Sequence, residues 1–307
     1  MDLLTLKKWS SDDILATVEE GLSVKHHPER YKDGLTGQTL AMLFQKTSTR
    51  TRCAFEVGMA QLGGHTVFLD WRTTNFALAD IQDEAQVLSR YADVIMARML
   101  EHKDLQFLAK GSEVPVINGC CDRYHPCQGL GDLLTMLERR ETLEDVHVVY
   151  VGIWNNVCNS LVVACTKAGV RITVVAPEVN GPSKDDALIQ EARDSGLFAE
   201  TLDLDAAIAD ADFVYTDTWI DMEFFRDPAY EAEKNRRVEV FTPYQINQSL
   251  LKKTDALVMH CLPAHKGYEV TSEVMAGERC IAVDQAENRM HIQKAILMRL
   301  VGSERAS

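Results

Sequence analysis

Between Phe44 and Gly64 the chain reads FQKTSTRTRCAFEVGMAQLGG. Hydroxyl groups at Ser48, Thr49 and Thr51 interleave with the guanidinium groups of Arg50 and Arg52. An apolar run, LAMLF, leads into this segment, and Phe55, Met59 and Leu62 follow at the spacing of one helix face. The pattern predicts a strand, a turn with Ser48 or Thr49 as N-cap, and a helix whose first turn carries the cations. A helix N-terminus presents free N–H groups and the positive end of the helix dipole, so it attracts anions. Guanidiniums and hydroxyls placed there make a cradle suited to a phosphate. A capped helix with two surface arginines is the ordinary alternative, and the dense alternation of the two side-chain types weighs against it.

Chemistry-bearing residues recur after other apolar runs. VIMARM puts Arg98 inside an apolar run, where a cation needs a partner: a structural ion pair or an anionic ligand. VPVING leads into CCDRYHPCQGLGDLLTML. Pro126 fits the first helical position, His125 precedes it, and Gln128 lies in the first turn. Both His125 and Gln128 can donate a hydrogen bond to a carbonyl oxygen. Asn155, Asn156 and Asn159 follow VHVVYVG; Asp217 and Asp221 bracket Trp219 after FVYT; Cys261, Leu262 and Pro263 follow ALVMH; Glu287, Asn288 and Arg289 follow RCIAVDQ. Singly these are turn asparagines, capping aspartates and a small apolar cysteine. Together, at the ends of so many runs, they point to a ligand-binding edge.

The elements that must position them are short apolar runs separated by helical-length segments. Four begin at Leu40, His65, Val94 and Val114, and five more at Val146, Arg171, Phe213, Ala256 and Arg279. Such runs predict an α/β protein with two parallel sheets, each flanked by helices. Ligands of such sheets bind beyond the carboxyl ends of the strands, where the residues above lie. The polar stretch ERRETLEDV, Glu138 to Val146, is the expected boundary between the two sheets. Ile292, Ala295, Ile296 and Leu297 predict a terminal helix.

The formal net charge of −14 over 307 residues argues against nucleic-acid and anionic-membrane surfaces, both of which need a basic footprint. An anionic ligand must therefore be held by a local cationic cluster. Eight cysteines form no CxxC pair and read as reduced thiols of a cytoplasmic protein. No signal pattern or membrane-length apolar run is present.

The order STRTR, HPCQ, HCLP and ENR resembles the aspartate/ornithine carbamoyltransferase family along the whole chain, and NNVCNS and DTWIDM resemble its ornithine branch. The resemblance implies a carbamoyl-phosphate-binding domain at 1–142, an amine-acceptor domain at 143–286, and a C-terminal helix at 287–307 returning to the first domain. It implies a homotrimer, or a multiple of trimers, with sites at subunit boundaries. The implied reaction moves the carbamoyl group of carbamoyl phosphate to the side-chain amine of L-ornithine, giving citrulline and phosphate, with no metal or organic cofactor. By motif position, Ser48, Thr49, Arg50 and Thr51 would hold the phosphate, and Arg98 would touch phosphate and carbonyl. His125 and Gln128 would bind the carbamoyl group, with Cys261, Leu262 and Arg289 closing around it. Of these, Arg98, His125, Cys261 and Arg289 are the expected catalytic residues. Asn156, Asp217, Asp221 and the main chain at Met222 would hold the acceptor.

Three departures bear on the acceptor. Asp221 stands where the branch has a serine, and Glu223 where it has a glycine. Ile153 and Trp154 replace a more polar turn and are expected to reshape the acceptor pocket. The loop WRTTNFALADIQDE, residues 71–84, offers Trp71, Arg72, Asn75 and Phe76 as possible selectors contributed to a neighbouring subunit's site. A diamine or another basic amino acid is thus an alternative acceptor, and a non-catalytic carbamoyl-phosphate-binding homologue a further alternative. A nucleotide-binding dehydrogenase is disfavoured, because VGIWNN lacks the glycines that let a backbone approach a pyrophosphate.

Overall fold

The computed structural model describes residues 1–220 and 224–302. The first sheet contains β1 (Thr39–Phe44), β2 (His65–Asp70), β3 (Val94–Arg98) and β4 (Val116–Cys120) in the order β2-β1-β3-β4, all parallel. The second contains β5 (His147–Val151), β6 (Arg171–Val175), β7 (Phe198–Glu200), β8 (Phe213–Thr216) and β9 (Leu257–His260) in the order β7-β6-β5-β8-β9, again parallel. The helices are α1 (Ser11–His26), α2 (Thr49–Gln61), α3 (Ile81–Leu88), α4 (His102–Gly111), α5 (Pro126–Arg140), α6 (Asn156–Ala168), α7 (Asp186–Asp194), α8 (Leu204–Ile208), α9 (Glu231–Phe241), α10 (Gln248–Leu251), α11 (Ser272–Met275) and α12 (Ala282–Val301).

Strand order explains where a site can form. The chain leaves β1 toward β2 on one side and returns to β3 on the other; it leaves β5 toward β6 and returns to β8. Diverging connections open a crevice at the carboxyl ends of β1 and β3, and another at those of β5 and β8. These ends carry residues 46–51, Arg98, Asn155, Asn156 and Asp217.

Two sequence expectations change. RCIAVDQ is not a strand: Cys280 makes a single bridge to Val258, and the backbone turns into α12 at Ala282, ahead of Glu287. The fifth strand of the second sheet is instead β7, whose three residues FAE carry too little apolar character to be seen in the sequence. Both sheets are flanked by helices as expected, with Val67 and Phe68 exposed on the edge strand β2.

Helix α5 ends in a left-handed residue, Glu141 at φ 62°, and the chain reaches β5 within a few residues. Helix α5 packs against α6, while α12 packs against α1, α2 and α5. The last helix therefore lies on the first sheet's helical layer, with Ile292, Ala295, Ile296 and Leu297 fully buried. Among the described residues, no helix is long and apolar enough to cross a membrane.

Candidate active site

A cavity of about 320 Å³ lies between the carboxyl ends of the two sheets. Its first wall begins at α2. Ser48 caps that helix, its Oγ accepting from the Thr51 N–H at 3.3 Å and donating to Thr51 Oγ1 at 3.1 Å. Arg50, in the first turn of the helix, reaches across the cavity and donates to the Leu262 carbonyl at 2.8 Å. Arg98 ends β3 just beyond a register shift, and its Nη1 donates to the Gly119 carbonyl at 3.4 Å. Arg289 of α12 enters from behind, donating to Gln128 Oε1 at 2.7 Å and to Thr51 Oγ1 at 3.1 Å. His125 precedes α5, with its backbone N–H anchored on Ser160 Oγ at 2.7 Å.

The second wall is built around a carboxylate. Asn155 caps α6, its Oδ1 accepting from the Val157 and Cys158 N–H groups at 3.0 and 3.1 Å. Its amide nitrogen donates to Asp217 Oδ2 at 2.7 Å. Asp217 Oδ1 accepts from the Thr218 N–H at 2.7 Å and the Cys261 thiol at 2.9 Å. Leu262 adopts φ 59°, a left-handed conformation that costs a branched residue energy and here turns its carbonyl toward Arg50.

Electrostatics divide the cavity. Burial holds His125 well below the usual imidazole range, helped by Arg289, Arg98, Lys46 and Arg50, so the ring is neutral at physiological pH. Arg98 Nε, His125 Nδ1 and Arg289 Nε are buried without a protein hydrogen bond. A cluster of under-satisfied buried donors calls for an acceptor, and three guanidiniums call for an anionic one. On the other side, burial first and Asp217 second keep the Cys261 thiol protonated, so it acts as a donor rather than as a thiolate nucleophile. Asp217, His260 and Cys261 bring ligand-type atoms within 4.8 Å of one another. Both ring nitrogens of His260 are engaged, Nδ1 by the Leu262 N–H at 2.8 Å and Nε2 by Glu269 at 3.1 Å. The cluster is thus a hydrogen-bond network and does not fit a metal without breaking it.

Comparison with known proteins agrees with this division of labour. Residues 1–138 match the profile of the aspartate/ornithine carbamoyltransferase carbamoyl-P binding domain, and residues 144–300 that of the Asp/Orn binding domain. The chain belongs to the aspartate/ornithine carbamoyltransferase family. It is 45% identical over 314 residues to the ornithine carbamoyltransferase of Pyrococcus horikoshii, covering 98% of this chain and 96% of that one. It is 42% identical over 302 residues to that of Bacillus subtilis, covering 96% and 92%. The solved ornithine carbamoyltransferase of Pyrococcus furiosus superposes with TM-score 0.90 at 44% identity, covering 98% and 97%.

Within this carbamoyltransferase fold, Ser48, Thr49, Arg50, Thr51, Arg98, His125, Gln128, Asn156, Asp217, Cys261, Leu262 and Arg289 all line the one cavity. Asp221, Met222 and Glu223 lie outside the described residues. Asn156 spends its amide nitrogen on the first half, donating to the Cys121 carbonyl at 2.6 Å. Ile153 and Trp154 do not line the cavity, contrary to expectation. Ile153 packs with Trp219, Ile220 and Phe241, and Trp154 donates to Asn159 Oδ1 at 2.7 Å with its ring edge-on to Phe198. Their bulk is spent on two different apolar clusters, Ile153 on a small one and Trp154 on the main core. The segment from Trp71 to Phe76 stands apart from the cavity of its own chain, with Arg72 paired to Asp70 and Trp71 packed on Phe76.

Sequence reasoning missed Lys46, Thr47, Cys120, Val157 and Thr218 as lining residues and undervalued Asn155. The strand-end rule alone would have found Cys120, the last residue of β4, and Thr218, just beyond β8.

Proposed function

We propose that the chain transfers the carbamoyl group of carbamoyl phosphate to the side-chain amine of L-ornithine, giving citrulline and phosphate. The observation that carries this reading is the polarity of a single cavity. Arg50, Arg98 and Arg289 line one side, and the Asp217 carboxylate, held by Asn155, lines the other. An anionic donor and a cationic amino acid are thereby oriented against each other.

In the reaction the uncharged amine attacks the carbonyl carbon, forming the new C–N bond. Negative charge moves to the carbonyl oxygen, where Arg98, Thr51 and neutral His125 supply donors. The C–O bond to phosphate then breaks, and the departing phosphate, held by Ser48, Thr49, Arg50 and Thr51, takes the proton that the amine loses. Gln128 orients the carbamoyl group. Asn156, Asp217 and the thiol of Cys261 orient the amino acid, and Leu262 closes over the carbamoyl group with its carbonyl holding Arg50. Alignment of two substrates supplies much of the rate enhancement.

The assignment extends to organisation. The donor-binding unit is 1–142, the acceptor-binding unit 143–286, and the segment 287–307 belongs with the first; separate sheets and the packing of α12 support this. The protein works as a homotrimer or a multiple of trimers. Exposed apolar side chains support the trimer: Phe68 on β2 and Leu100 beyond β3 are exposed and line one surface pocket. The eight cysteines are free thiols, which suits the reducing cytoplasm.

Carbamoyl-phosphate-dependent ureido product formation tests the reading, with L-ornithine first and then lysine, putrescine, N-acetylornithine and aspartate. Turnover with ornithine well above the others is expected. Turnover confined to another amine would replace the acceptor, and no phosphate release with any amine would overturn the transferase reading.

A further inference from the structure

Behind the cavity lies a run of buried polar groups, two of which have no direct part in lining it. Asp132, in the middle of α5, is fully buried. Its Oδ1 accepts from Gln128 Nε2 at 2.8 Å and from Gln285 Nε2 at 2.7 Å. Gln285, in the first turn of α12, is also fully buried, and its Oε1 accepts from the His260 N–H at 2.8 Å. On the other side, Gln128 Oε1 accepts from Arg289 at 2.7 Å.

We propose that Asp132 and Gln285 are positioning residues, forming a buried bridge that keeps the donor half and the acceptor half of the site in register. The proposal rests on the carbamoyl-transfer reading above, and it adds residues that neither touch the substrates nor line the cavity.

The polarity of the bridge is dictated by its ends. Arg289 can only donate, so Gln128 must turn its oxygen to it and its nitrogen to Asp132. A backbone N–H can only donate, so Gln285 must turn its oxygen to His260 and its nitrogen to Asp132. Two donor chains running inward from opposite halves need one shared acceptor, and Asp132 Oδ1 supplies it. An apolar residue there would strand two buried amides.

The far end of the bridge matters because it abuts the acceptor wall. His260 ends β9 and immediately precedes Cys261 and Leu262. Its ring nitrogen accepts from the Leu262 N–H at 2.8 Å, while Cys261 holds Asp217 at 2.9 Å. Fixing the His260 backbone therefore fixes the thiol donor and the left-handed turn at Leu262. The near end fixes Gln128, which faces the carbamoyl group. A misplacement of about 1 Å at reacting groups is enough to cost a large factor in rate.

The test compares the unaltered full-length protein with Gln285→Met and Asp132→Asn, each checked for an unchanged oligomer by sedimentation and for its melting temperature. Gln285→Met keeps the volume and removes both the donor to Asp132 and the acceptor of the His260 N–H, cutting the arm toward the acceptor half while Gln128 keeps its bond to Asp132. It is expected to lower kcat/KM for ornithine at least tenfold while leaving the dissociation constant of carbamoyl phosphate within about twofold. Asp132→Asn keeps an oxygen at the meeting point and is expected to lose less for ornithine than Gln285→Met. An ornithine kcat/KM within twofold of the unaltered protein in Gln285→Met overturns the bridge. So does an equal loss for both substrates that tracks the fall in melting temperature, or a larger loss in Asp132→Asn. Failure of the unaltered protein to use ornithine is a separate result, which would remove the carbamoyl-transfer reading itself.

Discussion

Asp132 makes a sharp prediction about stability. Its carboxyl is fully buried, and burial outweighs the hydrogen bonds from Gln128 and Gln285 and the nearby Arg289, pushing its pKa up from the ordinary 3.8 to about 7. Between these two values the folded protein holds a proton that the unfolded chain has released. Linkage then makes stability fall as pH rises through that window, by up to about 1.4 kcal/mol per pH unit. Over the rise of about 3 pH units this amounts to about 4 kcal/mol, fully lost above about pH 8 and fully present below about pH 4. Asp132→Asn has no proton to lose, so its stability relative to the unaltered protein should climb by that amount across the window. Urea unfolding at fixed protein concentration, read as the difference between the two proteins at each pH, isolates this group, because every other titration is common to both. A difference that stays flat across the window would refute the reasoning. The sign is informative as well: a substitution that strengthens the fold at the alkaline end while weakening ornithine use would show that this carboxylate is retained at a cost in stability.

Other consequences are more local. Arg289→Met removes donors to Thr51 and Gln128 and should lower kcat/KM for carbamoyl phosphate by about 10²–10³-fold, measured by initial rates. Because His125 titrates well below the usual range, its NMR ring signals should show no transition around neutral pH in the free enzyme; a midpoint at the ordinary imidazole value of 6.5 would contradict the burial argument. Cys261→Ser preserves a donor to Asp217 and should retain most ornithine affinity, whereas Cys261→Ala should raise KM for ornithine more than KM for carbamoyl phosphate. Trp154→Phe deletes the donor to Asn159, whose amide holds the Arg123 and Ser183 carbonyls, and should cost about 1–3 kcal/mol in unfolding without changing acceptor preference.

Much of the site could be read in advance because parallel sheets gather their chemistry at strand ends, and STRTR, HPCQ and HCLP sit just there. The helix signals at α2 and α5 were equally direct: Ser48 caps the one and Pro126 opens the other, whereas Asn155, read as a turn residue, proved to cap α6. What resisted reading depended on long-range packing. Cys280 to Val283 has the composition of a strand, but only one bridge forms beside β9 before α12 begins. Ile153 and Trp154 come after β5 as ligand-facing residues do, yet their side chains turn inward because apolar clusters are waiting for them. Gln285 and Glu269 carry no local pattern at all. Asp132 was no easier to read: on the helical wheel it falls opposite the stripe of Leu130, Leu133 and Leu134, where an acid is ordinarily solvated, and only the packing of α12 buries it.

Helix α12 also imposes an order of manufacture. The phosphate cradle around Thr51 is encoded near the beginning of the chain, but Arg289, which bonds Thr51 and Gln128, is encoded near its end. During synthesis the N-terminal unit emerges first and can begin to fold, as domains generally do. It nevertheless lacks its central cation until α12 has been released and laid against α1, α2 and α5. On the proposed assignment of the donor site, a nascent chain or C-terminally shortened fragment lacks the Arg289 link to Thr51 and Gln128, so the cradle is completed only in a molecule that already possesses its second half.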